Sequence, residues 1–144
     1  THLAAYQGQT RRRPMRVGEF SKATAALIWS RDAGKCAWCG LPVFGDRGRD
    51  WSVHHREPRG AGGRGKRGDY VELPSNGVIL HGSGTTGCHG LIERRRTDAI
   101  ASGFLVSRIG QRRPNSVPIR HALHGYVHLR DDGSWQAYNN EERE

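Results

Sequence analysis

Apolar residues in this chain come in short clusters separated by long polar and glycine-rich stretches. Residues 1–18 show no apolar period and carry Arg11-Arg12-Arg13-Pro14, which reads as a basic arm. After them, Ala23, Ala26, Leu27 and Trp29 supply the apolar side of a helix predicted over 22–32, and these four are expected in the core. Ser21 is its N-cap and Gly34 its stop. Trp51 to His55 alternates as a strand, with Val53 opposite Ser52 and His54, and Pro58 marks its end. Val78-Ile79-Leu80 predicts a second strand. A helix is predicted from His89 to about Ser102, with Leu91, Ile92 and Ile100 as apolar points and Gly103 as its stop. In the tail, Asp132-Gly133 sits between alternating segments and signals a β-hairpin. His121, His124 and His128 also lie there, and with no cysteine or carboxylate pattern beside them they read as scattered surface residues and not as a metal set. The expected fold class is α+β, with a flexible arm at 1–18, a principal unit at 19–102 and a small β-rich extension at 103–144.

Composition sharpens this picture. The chain has 144 residues, only 35% of them hydrophobic, with 20 glycines and a mean hydropathy of -0.75. So thin a core calls for a staple. Three cysteines are an odd number, which speaks against a full disulfide framework. A net charge of +9 points to a polyanionic partner, most simply nucleic acid. No apolar run has the length of a membrane span and no cleavable signal is visible. The expectation is a cytoplasmic chain with no membrane partner. The run from Gly60 to Gly68 is rich in glycine and basic charge. Arg59, Arg64, Lys66 and Arg67 are its candidate DNA-backbone contacts, although the run also reads as a flexible connector and lacks the spacing of a nucleotide-binding loop.

All three cysteines and four of the eight histidines fall between Cys36 and His89. Cys36-Ala-Trp-Cys39, on a turn capped by Gly40, presents two thiols to one point. Cys88 is the remaining thiol, and His81 lies at the far end of a loop whose glycines let the two fold back together. Cys36, Cys39, His81 and Cys88 form a plausible closed set for structural Zn²⁺. The alternative, a redox pair plus a buried thiol, expects βαβ surroundings that the pattern does not supply.

His54, His55, Asn76 and His89 are left over. Adjacent residues on a strand face opposite ways, so His54 and His55 suit different tasks: one binds a metal, the other handles a proton. An imidazole is a usable base at physiological pH. Glu93, four residues beyond His89 on the same helical face, offers either a third ligand oxygen or a solvated carboxylate.

The series Cys36-x-x-Cys39, His54-His55, Asn76, Cys88-His89 resembles the HNH endonuclease family in its zinc-containing, small phage-type form. The likeness covers about residues 20–100. It implies a ββα-metal core hydrolysing DNA phosphodiester bonds. His54 and His89 would hold a catalytic divalent ion, Mg²⁺ or Mn²⁺ before Ni²⁺ or Zn²⁺. His55 would be the general base, and Asn76 would orient the base and tie down the loop between the strands. It also implies partners in phage terminase or packaging proteins. His81 stands where the family more often has cysteine, and the His81–Cys88 spacing exceeds the usual CxxC. A zinc-stabilised module that binds nucleic acid without cutting it fits the charge and the clip equally well, but has no need of the histidine set.

Overall fold

The computed structural model describes residues 19–59, 69–110 and 112–139. Among them the chain is α+β, with three helices and two small antiparallel sheets. Helix α1 spans Lys22–Asp32. Its N-cap Ser21 accepts a hydrogen bond from the Thr24 N–H at 3.0 Å, satisfying one orphan donor of the first turn. Ala33 and Gly34, both left-handed (φ 56° and 65°), end it. The buried face differs from the one expected. Ala25, Ile28 and Trp29 are buried, whereas Ala23 and Leu27 are exposed. The buried face also carries Arg31 and Asp32, a polar pair that apolar spacing does not reveal.

Strands β1 (Trp51–His55) and β2 (Gly77–His81) pair in antiparallel register, His54 opposite Val78 and His55 opposite Gly77. Val78, Ile79 and Leu80 are fully buried. The other edge of β2 is also satisfied. The Ile79 N–H donates to the Asp32 carboxylate at 2.9 Å, and its carbonyl accepts from Ala37 at 2.8 Å. The Ala37 carbonyl in turn accepts from Ala122 at 2.7 Å. The Cys36–Gly40 turn is thereby bonded both to β2 and to the C-terminal region.

The single helix expected from His89 to Ser102 is two, α2 (Gly87–Arg94) and α3 (Arg96–Ala101). The break falls at Arg95 (φ -109°, ψ 60°). The stretch from Glu93 to Asp98 has no apolar residue to anchor a continuous helix, so burial of Ala99 sets the direction of α3. Gly103 (φ 84°) ends it as predicted. The C-terminal hairpin, β4 (Gly125–Leu129) with β5 (Trp135–Ala137), gains a third strand, β3 (Ile119–His121). Ile119, Val127 and Leu129 enter the same core as Ile28, Ile79 and Phe104.

Two buried arginines hold the parts together. Arg56 donates to the carbonyls of Gly103, Ser75, Pro114 and Val117 at 2.6–3.0 Å. Burial, with a smaller push from the Arg31 charge, lowers its pKa to about 9, which still leaves it charged at neutral pH. Arg31 donates to the Pro74 and Gly77 carbonyls and pairs with Asp32. These two cations serve the fold, so the net charge overstates the positive charge offered to a partner. Among the described residues no helix is long and apolar enough to cross a membrane.

Candidate functional site

Cys36, Cys39, His81 and Cys88 converge as expected, their donor atoms all within 4.8 Å of one another. A tetrahedral site with metal–sulfur bonds of about 2.3 Å has edges of about 3.7 Å, so a small contraction closes the set. His81 Nδ1 lies 3.3 Å from Cys39 Sγ and 3.9 Å from Cys88 Sγ. Its other nitrogen, Nε2, donates to the Pro42 carbonyl at 2.9 Å. That carbonyl fixes the ring with its Nδ1 lone pair toward the thiols, a support typical of metal-ligating histidines. The 82–86 loop closes because Gly82 and Gly87 take positive φ (85° and 61°), where a Cβ would strike the backbone of Thr86 and His81. Burial, reinforced by the neighbouring Cys36 and Cys39 thiols, pushes Cys88 up to about 12, and burial also raises Cys36. The reluctance of Cys36 and Cys88 to ionise is what a bound cation reverses. This Cys₃His cluster can hold a metal ion.

A second set lies where the His89 side chain of α2 meets β1. Ser52 and His54 share one face of β1, and both meet His89 of α2. His89 Nδ1 is 2.7 Å from Ser52 Oγ, and its Nε2 is 3.2 Å from His54 Nδ1 and 3.9 Å from Glu93 Oε2. The donor atoms of His54, His89 and Glu93 lie within 4.8 Å of one another. His54 Nε2 donates to the Phe104 carbonyl at 2.7 Å. Burial, then the His89 ring, depresses the His54 pKa to about 3. Burial also lowers that of His89, against the opposing pull of Glu93. Both rings are therefore held neutral, the ligating form.

His55, Arg47, Arg59 and Glu19 join these residues in lining a cleft of about 510 Å³. His55 faces Gly77 across the sheet. A Cβ on Gly77 would come within 2.9 Å of the Phe20 ring, and Phe20 stacks on His55 at 4.0 Å, nearly parallel. The glycine opposite His55 thus makes room for the aromatic ring that orients it.

Asn76 is fully buried and lies outside the cleft lining. Its Oδ1 accepts from the Glu57 N–H at 2.7 Å, and its Nδ2 donates to the Glu57 and Val71 carbonyls at 3.0 and 2.9 Å. These bonds tie down both ends of the connection between β1 and β2. Of the expected DNA contacts, Arg59 lines the cleft, while Arg64, Lys66 and Arg67 lie outside the described residues.

Sequence reasoning missed Ser52, Phe20, Arg47 and the Phe104 carbonyl. Two had a visible signal. Ser52 is two residues before His54 on a strand, and Phe20 immediately precedes an N-cap, where apolar residues pack back on the helix. The C-terminal histidines also differ from expectation. Read as scattered surface residues, they include His121, which is only 2% exposed. Its Nε2 lies 2.8 Å from Asp32 Oδ1 and its Nδ1 accepts from the Leu123 N–H. His124 Nε2 donates to the Arg31 carbonyl. Asp32, His121 and His124 come close enough together for a metal site, but protein hydrogen bonds already engage both Asp32 oxygens, both His121 nitrogens and His124 Nε2, and the group acts as a polar staple between α1 and β3.

No protein-family model, curated protein or solved structure matches this chain.

Proposed function

We propose that the chain is a metal-dependent DNA endonuclease of the ββα-metal (HNH) type, stabilised by structural zinc. The observation that carries this reading is the convergence of His54, His89 and Glu93 on one wall of a cleft that His55 also lines. A protein that only binds nucleic acid has no use for three clustered ligands beside a further imidazole. Two antiparallel strands followed by a helix support the ββα reading, and the Cys₃His cluster supports the structural zinc.

The donor set of two imidazoles and a carboxylate fits a divalent ion with positions left open. When bound, such an ion supplies Lewis-acid stabilisation of charge on the phosphate and leaving oxygen. The remaining work belongs to the chain. His54 and His89, kept neutral by burial, present lone pairs to the site. His55, held flat against Phe20, accepts the proton of the attacking water. Arg47 and Arg59 at the cleft wall attract the phosphate backbone without reading sequence. Asn76 keeps the β1–β2 connection in place and acts as a positioning residue.

The test is cleavage of supercoiled plasmid with Mg²⁺, Mn²⁺ or Ni²⁺ by wild type and His55→Ala. Cleavage by wild type and its loss in the variant, with DNA binding retained, is the expected result. Equal cleavage by both, or none with any metal, overturns the catalytic reading and leaves the zinc-stabilised binding module.

A further inference from the structure

The histidines of the two candidate metal sets differ in one respect that bears on how the cleft set fills. His81 and His54 each donate one ring N–H to a backbone carbonyl, Pro42 and Phe104 respectively. A carbonyl only accepts, so Nε2 carries the proton in both rings and Nδ1 presents a lone pair. His89 instead meets a hydroxyl, Ser52 Oγ, 2.7 Å from its Nδ1. A hydroxyl donates or accepts as required.

That difference matters because His54 Nδ1 faces His89 Nε2 at 3.2 Å. With no cation between them, two bare lone pairs at this distance repel, so His89 must carry its proton on Nε2 and donate to His54. Its Nδ1 is then bare and Ser52 donates to it. With a cation present, both facing nitrogens must be bare. The His89 proton then sits on Nδ1, and Ser52 must accept it.

Resting on the reading of His54, His89 and Glu93 as a metal site, we propose that Ser52 is a positioning residue that sets the His89 tautomer. Its hydroxyl turns from donor to acceptor as a divalent cation enters. In this exchange Nε2 releases a proton to water and Nδ1 takes one up, so the ring stays neutral and no net proton is lost. A carbonyl in place of Ser52 would hold His89 in the metal-ready tautomer and leave opposed lone pairs in the empty site. The alternation of β1 places the hydroxyl on the same face as His54, directly under His89.

The experiment uses the full chain with the clip loaded with zinc. Ni²⁺ is titrated calorimetrically into wild type, His89→Ala, Ser52→Ala, Ser52→Val and Ser52→Thr, with thermal melts as the control for folding. Nitrogen-15 spectra of the histidine rings, with excess Zn²⁺ as the diamagnetic probe, report which His89 nitrogen carries the proton. Wild type is expected to move that proton from Nε2 to Nδ1 on metal binding. Ser52→Ala and Ser52→Val should weaken Ni²⁺ binding by about 10–100-fold with unchanged melts. Ser52→Thr, which has the shape of valine but keeps the hydroxyl, should restore it. Ni²⁺ binding in Ser52→Ala and Ser52→Val as tight as in wild type, or a His89 proton on Nδ1 in both states, overturns the role of Ser52 alone. Ni²⁺ binding that His89→Ala leaves unchanged, or no binding by wild type, removes the metal-site reading together with the inference.

Discussion

The clip and the cleft lie side by side on α2, where Cys88 serves one and His89 the other, yet they are built on opposite terms. The clip gathers four side chains able to hold a metal, three of them thiols, and its one imidazole is fixed by a carbonyl. Its turn is bonded to β2 and to the C-terminal region through Ala37. The cleft set offers three candidate ligands, two imidazoles and a carboxylate, on the wall of an open depression. A closed tetrahedron leaves no place for a reactant, whereas a three-ligand set leaves positions for water and substrate. Ligand number, more than ligand type, is the difference on which the proposed division between frame and chemistry turns.

The comparison breaks most sharply by metal removal. Cys36→Ser, or a strong chelator, should release one zinc and abolish cooperative unfolding. Structural zinc binding is itself folding free energy, on the order of 10 kcal/mol in small domains. Zinc content by atomic emission, with thermal melting, checks this, and a melt unchanged after zinc loss would show that the clip does not hold the frame. In contrast, His55→Ala should melt like wild type while plasmid cleavage falls by about 10²–10⁴-fold. A large loss of stability in that variant would blur the division between the two regions.

Smaller effects sharpen it. In the Asp32 staple beneath the clip, burial raises the carboxyl pKa. The Arg31 charge and the His121 hydrogen bond outweigh that and bring it to about 2. Because the folded pKa lies below the unfolded value, this stability is fully present above about pH 4 and is lost as pH falls through about 2. It amounts to about 2 kcal/mol. Denaturant titrations of wild type and Asp32→Asn across pH 2–6 should converge at the acid end, and parallel curves would remove Asp32 as the cause. Gly82→Ala, which forces a Cβ onto the Thr86 carbonyl at positive φ, should cost about 1–3 kcal/mol. Its effect belongs in the melt and zinc retention, with cleavage per folded molecule intact.

Much of both regions was legible in the chain. Ligand chemistry and spacing identified all four clip residues, because CxxC is local and only one thiol remained to complete it. Helix α1, both strands of the first sheet and the Gly103 stop followed from caps, alternation and glycine. What the residues did not reveal depended on partners distant in sequence. Ala23 and Leu27 were expected inside, but α1 is rotated so that Arg31 and Asp32 reach β2. His121 was read as exposed because its carboxylate lies 89 residues away. The helix after His89 breaks at Arg95 with no proline or glycine to announce it.

The sequence by itself determined the inventory and its local geometry: which residues have the chemistry to hold a metal, which turns and strands carry them, and that His54 and His55 take different faces. Only the tertiary structure decided what each group meets. It placed the Phe104 and Pro42 carbonyls on two histidines, a hydroxyl on the third, and Phe20 against His55. The reason is physical. Residue type and period are written along the chain, but a ring's tautomer, a thiol's pKa and an arginine's partners are set by atoms that become neighbours only once the core has closed.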